Sequence, residues 1–82
     1  MPSVDAVTDR MRDLADKDGV PSNISDLLDE AVETLQEEDK ELSVRVNTAS
    51  SLLDQISNDP NIKQHTRTEI WNLASKVESL ED

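Results

Sequence analysis

The side chains with the clearest potential for ligand chemistry lie in the last third of the chain, where Lys63, His65 and Arg67 alternate with polar residues. We expect them at the start of a helix. Unpaired backbone N–H groups at such a position, together with nearby cations, can hold a phosphate or a carboxylate. The favoured interpretation is instead a solvated first helical turn in which Thr66 or Thr68 supplies the cap.

Trp71 is the only aromatic residue and a candidate binding residue of a different kind. It follows Ile70 at the rim of an apolar stripe, so it either fills the protein core or anchors a partner, since Trp is enriched in interface hot spots. Core packing is the favoured interpretation. One aromatic residue provides no stacking platform of the kind that single-stranded RNA binders use.

These residue types do not support catalysis or metal binding. The chain has no Cys and one His, whereas a zinc site needs three or four ligands. Asp16 and Asp18 imitate part of a calcium loop, but the EF-hand spacing then places Leu14 and Ser25 at ligand positions. A single Gly excludes a Gly-rich phosphate loop. We therefore predict that the protein is not an enzyme, with no catalytic residue, metal, cofactor or small-molecule substrate.

Charge is the strongest feature of the composition, with 19 acidic and 8 basic residues and a net charge of -11. Residues 1–42 hold 13 acidic and 4 basic residues (net -9), and residues 43–82 hold 6 and 4 (net -2). This balance disfavours nucleic acid and anionic membranes over most of the surface. Because salt screens such repulsion, we predict a halophilic host. We predict a cytoplasmic location, because there is neither a membrane-length apolar run nor a signal peptide.

Helices must position these residues, because apolar side chains recur at steps of three and four. Gly19 and Pro21 separate the first two stripes, an acidic run separates the next two, and Pro60 precedes the last. The pattern predicts four helices, over residues 3–16, 21–38, 42–57 and 63–80.

The two halves of the chain also resemble each other. A shift of 42 residues aligns apolar positions, namely Val4 with Val46, Met11 with Leu53, Leu14 with Ile56, Val20 with Ile62, Leu28 with Ile70 and Leu35 with Val77. A two-helix repeat of this length is similar to HEAT-type hairpins, but two hairpins without capping repeats favour a closed bundle. We predict an all-α, four-helix up-and-down bundle built from two similar helical hairpins, in a single domain over residues 1–82.

Four motifs carry a resemblance over nearly the whole chain: Val20-Pro21-x-Asn23-Ile24, Val44-Arg45, Leu53-Asp54-x-Ile56-Ser57-Asn58-Asp59-Pro60-Asn61 and His65-Thr66-Arg67-Thr68-x-Ile70-Trp71-Asn72. The sequence resembles the archaeal uncharacterised protein family 0147, most specifically between residues 58 and 72. The resemblance implies a bromodomain-like four-helix topology and an archaeal source. It implies no activity, since the family's function is unassigned. The sequence departs from the family at Lys63, where a Pro is common.

Two functions from different classes follow as hypotheses. The first is an interaction module that docks another protein, or a second copy of itself, through the face shared by the third and fourth helices, where charge is low and Trp71 lies. The second is association with structured RNA or a ribosomal particle, with Arg45, Lys63, His65 and Arg67 as phosphate contacts. Their dependence on salt separates them, because phosphate contacts weaken as salt rises and apolar docking does not.

Overall fold

The computed structural model describes residues 3–81, which form four α-helices: α1 (Val4–Ala15), α2 (Ser22–Leu35), α3 (Leu42–Ser57) and α4 (Gln64–Ser79). All four predicted helices are present, and residues 3–81 contain no strand. Ser3 is the N-cap residue of α1, and its hydroxyl oxygen accepts a hydrogen bond from the Ala6 N–H at 3.1 Å. The largest difference is at α2, which ends at Leu35 before the acidic run, because negative charge at a helix C-terminus opposes the helix dipole.

The helices form a closed antiparallel ring in which each packs against the next and α1 packs against α4. Within residues 3–81 the diagonal pairs make no comparably close approach. The turns at residues 16–21 and 58–63 lie together at one end, named here the double-turn end. There the Asn23 side-chain amide donates to the Asp59 carboxylate at 3.4 Å. The ring closure confirms the four-helix bundle, and the bromodomain-like topology stays a prediction.

One apolar core fills the bundle, and the positions that align in the two halves occupy it together. Met11 and Leu53 are fully buried, as are Leu28 and Ile70. The six aligned pairs are either buried or, at Val4 and Val20, packed against the core from its edge. The internal similarity predicted from the sequence is therefore a similarity between two sets of core positions.

Every turn between helices is closed by the same kind of hydrogen bond. The fourth residue of each later helix donates from its side chain to the carbonyl of the last residue of the preceding helix. The three bonds are Ser25 Oγ to Ala15 O at 2.7 Å, Arg45 Nη1 to Leu35 O at 2.9 Å and Arg67 Nε to Ser57 O at 2.9 Å. They satisfy carbonyls that a helix C-terminus leaves without an intrahelical partner. The first and third bonds are also related by the 42-residue shift.

The α1–α2 turn depends on its glycine. Gly19 has a φ of 89°, in the left-handed region that residues with a Cβ rarely adopt. A Cβ at this position would lie 3.6 Å from the Nζ of Lys63, which is an ordinary contact. The requirement for Gly is therefore conformational rather than steric.

None of the helices is both long and apolar enough to cross a membrane, over the residues searched.

Candidate interaction surfaces

The start of α4 lies at the double-turn end and presents two of the predicted site residues to solvent. Lys63 is the N-cap residue, with ψ 156°, and provides no side-chain cap, and His65 is exposed in the first turn. The predicted capping by Thr66 or Thr68 is wrong, because Thr66 is buried and the Thr68 hydroxyl donates to the Gln64 carbonyl at 3.2 Å. The first turn of α4 thus lacks a side-chain cap and adjoins two exposed basic side chains.

Arg67 and Arg45, proposed from the sequence as phosphate contacts, both donate to backbone carbonyls. Arg67 donates from Nε to Ser57 O, from Nη2 to Asp59 O at 3.1 Å and from Nη1 to the Gln64 side chain at 3.3 Å. Arg45 donates from Nη1 to Leu35 O and from Nε to Lys40 O at 3.0 Å. Both guanidinium groups thereby hold turns closed.

The predicted site residues do not form one patch. Arg67 reaches the C-terminal end of α3, at Ser57, whereas Arg45 is near the start of α3. At 1.5 Å per residue these two positions of α3 are about 18 Å apart along the helix axis. Lys63, His65 and Arg67 therefore lie at the double-turn end, and Arg45 lies at the other end of the bundle.

Trp71 is 54% exposed, so the favoured expectation that it packs in the core is wrong. The buried positions of α4 are Thr66, Ile70, Leu73 and Val77. Since successive residues are about 100° apart around a helix, the position after Ile70 is carried away from this stripe. Val44 of α3 is exposed to 48%, and together with Trp71 it makes up the exposed large hydrophobic residues of the described chain.

Three exposed ion pairs engage basic residues: Arg12 with Asp9 at 3.5 Å, Lys17 with Glu69 at 3.1 Å and Lys40 with Glu37 at 3.0 Å. The hydrogen bond that Lys40 donates to the Glu37 carboxylate, and next the negative charge of that carboxylate, raise the pKa of Lys40. Arg45 and Arg67 serve as caps. Within residues 3–81, Arg10, Lys63 and Lys76 form neither an ion pair nor a cap hydrogen bond.

The structure also contains a groove between α1 and α4, which the sequence did not predict. It holds a cavity of about 250 Å³ towards the double-turn end and another of about 340 Å³ towards the start of α1. Arg10 and Lys76 line both cavities. The α1–α4 contact is the smallest of the four interhelical contacts, which leaves room for this groove. The signal in the sequence is weak, because basic residues beside an apolar stripe are common in solvated helices.

A shallow cavity with a volume of about 580 Å³ lies between α2 and α3. Acidic residues make up most of its lining, among them Asp26, Asp29, Glu30 and Glu33. Across the described residues, no group of three or more His, Cys, Asp or Glu side chains is placed to hold a metal ion. This surface therefore has the character of a solvated acidic helix face.

The closed ring, the single apolar core and the three side-chain hydrogen bonds across the turns, named here back-caps, define a class of small all-α four-helix bundle. Residues 3–80 match the model of the Uncharacterised protein family (UPF0147), and the chain belongs to this family. The resemblance seen in the sequence motifs is thus confirmed.

Relatives in this family come from several archaea. A family protein of Methanothermobacter thermautotrophicus is 40% identical over 76 residues, which cover 93% of this chain and 74% of that relative. One of Methanocaldococcus jannaschii is 46% identical over 61 residues, covering 74% of this chain and 66% of the relative. The match therefore covers slightly less than two thirds of the length of the Methanocaldococcus jannaschii protein. It covers 63% of the length of a relative from Methanosarcina acetivorans.

Two crystal structures share the fold. The unknown-function protein MMP1188 superposes with a TM-score of 0.89 at 37% identity, covering 96% of this chain and 90% of that chain. A protein of the same uncharacterised family from Thermoplasma acidophilum superposes with a TM-score of 0.87 at 32% identity, covering 93% of this chain and 89% of that chain. This chain and both of those proteins therefore share the fold.

Proposed function

We propose that the chain is a non-enzymatic interaction module that docks a protein, either a partner or a second copy of itself, through the α3–α4 face that carries Trp71. The observation that carries this proposal is the 54% exposure of Trp71. A Trp side chain held on regular secondary structure loses little conformational freedom on binding, and Trp is enriched among residues that dominate binding energy.

The exposed part of Trp71 is large enough to matter energetically. A Trp side chain buries up to about 250 Å², so the exposed half corresponds to roughly 130 Å². At about 25 cal/mol per Å² its burial would contribute about 3 kcal/mol, or about a hundredfold in affinity. Val44 adds a smaller exposed apolar side chain on the neighbouring helix α3.

Charge also favours this half of the chain as the docking surface. Residues 43–82 carry a net charge of -2, against -9 for residues 1–42. An acidic partner, or a second copy of the chain, is therefore repelled less by α3 and α4 than by α1 and α2.

The test is affinity capture and sedimentation with Trp71→Ala, with Ser75→Ala as the matched control because Ser75 is an exposed residue of the same helix. We expect Trp71→Ala to weaken self-association or partner binding by about tenfold to a hundredfold. Ser75→Ala should leave both unchanged. If Trp71→Ala changes neither the oligomeric state nor any co-purifying protein, the α3–α4 face is not the docking surface.

A second candidate function is association with structured RNA or a ribosomal particle. It is favoured by the exposure of Lys63 and His65 beside the uncapped first turn of α4. The cap bonds of Arg67 and Arg45 leave those side chains fewer donors for phosphate.

Salt separates the two candidates. We would follow the native protein through gradient sedimentation of an archaeal lysate by mass spectrometry, at several KCl concentrations. Co-migration with ribosomal particles that weakens log-linearly with salt supports the RNA function. An Arg67→Glu variant that still co-migrates would remove Arg67 from the contact, with Arg12→Glu as the charge-matched control. Residence in light fractions at every salt concentration supports the protein-docking function.

The host and location are part of the same proposal. The net charge of -11 is better tolerated in a salt-rich cytoplasm, where screening shortens the range of repulsion between carboxylates. We propose a halophilic archaeon as the source and the cytoplasm as the location. Subcellular fractionation of the source cells would check the location, since recovery with membranes would contradict it.

A further inference from the structure

We propose that the groove between α1 and α4 binds a small organic anion, whose carboxylate or phosphate group lies between Arg10 and Lys76 and whose apolar part packs along the groove. This surface differs from the face that carries Trp71. The inference therefore stands or falls independently of the proposed docking function.

The shared lining of the two cavities carries the geometric part of the argument. Arg10 lies on α1 and Lys76 on α4, and both residues line both cavities. The two cavities therefore adjoin, and the two cations come from the two neighbouring helices that border the groove. The larger cavity, of about 340 Å³, lies at the lower end of the range of about 300 to 1,000 Å³ that ligand pockets occupy, and the other, of about 250 Å³, lies just below it.

The charges in the groove point to an anion. Arg10, Lys17 and Lys76 line the groove against Asp13 and Glu69, so its lining, with three cations and two carboxylates, has a net charge of +1 in a protein whose net charge is -11. Within residues 3–81 neither Arg10 nor Lys76 forms an ion pair, although the chain carries 19 acidic residues. An anion bound between these two cations would attract both of them and offset part of their mutual repulsion.

The remaining lining narrows the class of anion. Asp13 and Glu69 line the first cavity, with Glu69 held by Lys17 at 3.1 Å, and these carboxylates disfavour a polyanion such as a nucleic acid backbone. Ala6, Leu14 and Leu73 supply apolar surface along the groove. One anionic group on an apolar body therefore fits the groove better than either an inorganic ion or a polyanion.

The test uses 8-anilinonaphthalene-1-sulfonate, an anion on an apolar body whose fluorescence rises on binding. Titrations are run at one KCl concentration at which circular dichroism shows every variant to be fully helical. We expect saturable binding by the wild type, and affinities lower by about tenfold in Arg10→Gln and in Lys76→Gln, because each variant removes a charged donor. Arg12→Gln is the matched control, since Arg12 is an exposed basic residue of α1 that pairs with Asp9.

Two further measurements locate the probe and identify the anionic group. Binding should shift the amide resonances of Arg10 and Lys76 and should persist in Trp71→Ala. Displacement by benzoate or by phenyl phosphate would assign the preferred group as carboxylate or phosphate. The inference is overturned if the wild type does not bind the probe, if both glutamine variants bind it as well as the wild type, or if Trp71→Ala abolishes binding.

Discussion

Trp71 has more than half of its side chain in solvent, immediately after the fully buried Ile70. A fully buried Trp typically costs about 3 to 5 kcal/mol when it is replaced by Ala. We expect Trp71→Ala to lower the free energy of unfolding by about 2 kcal/mol, because only about half of the side chain, roughly 115 Å², leaves water on folding and Ala still buries part of that area. Urea unfolding followed by circular dichroism measures this difference. A loss near that of a buried Trp would contradict the exposed position.

Gly19 provides a second test at the scale of one residue. Its φ of 89° strains any L-residue with a Cβ, while the space around a new Cβ is adequate. We expect Gly19→Ala to lower the free energy of unfolding by about 1 kcal/mol, and Gly19→Asn to lower it less, because Asn tolerates left-handed φ better. Thermal unfolding of the two variants would show the order. Equal losses would indicate that contacts at this turn matter more than its φ.

At the scale of the elements, the helix ends are joined by side chains that act across the turns. Each back-cap connects the first turn of one helix to the last carbonyl of the helix before it. The bond therefore ties the start of one helix to the end of the helix before it, as well as satisfying a carbonyl. Two of the 8 basic residues of the chain, Arg45 and Arg67, are used in this way.

We expect Arg67→Met and Arg45→Met each to lower the free energy of unfolding by about 1.5 to 3 kcal/mol, the range for hydrogen bonds to charged groups. Met keeps most of the apolar stem, so the change isolates the guanidinium group. Arg12→Met is the control and should change stability by about 0.5 kcal/mol or less, because its ion pair with Asp9 is exposed. Chemical unfolding of the three variants decides the matter. A loss at Arg12 as large as at Arg67 would show that charge, and not capping, is responsible.

At the scale of the whole molecule, the net charge of -11 makes the folding stability depend on the salt concentration. At about 0.1 M salt the Debye length is about 10 Å, comparable with the spacing of neighbouring helices, and near 1 M it is about 3 Å. Repulsion among the carboxylates of α1 and α2 therefore opposes folding at low salt more than at high salt. Apolar packing between the helices must outweigh this repulsion for the bundle to fold. The smallest interhelical contact is the one between α1 and α4.

We expect the melting temperature to rise between about 0.1 M and about 2 M KCl, as screening removes the repulsion. The double variant Asp29→Asn, Glu33→Gln should melt higher than the wild type at low salt and depend less on KCl, because it removes like charges one helical turn apart. Differential scanning calorimetry provides both measurements. A melting temperature that stays flat or falls with KCl would refute the salt-adapted interpretation.

The sequence by itself determined the number of helices, their approximate ends and the membership of the core. Apolar side chains at helical spacing must leave water together, so the stripes that include Met11, Leu28, Leu53 and Ile70 could be assigned to one interior before the packing was known. The repeated spacing of these positions also predicted two similar hairpins. Local signals sufficed here, because helix formation and burial of one face depend on neighbours three and four residues apart.

Only the tertiary structure decided where the side chains at the edges of those stripes point. Arg45 and Arg67 looked like free cations because the carbonyls they bind lie ten residues earlier, across a turn. The exposure of Trp71 depends on how α4 is rotated against its neighbours. The α1–α4 groove joins residues from opposite ends of the chain. These contacts, exposures and grooves depend on how the helices pack against one another, and the spacing of residues along the chain does not determine that packing.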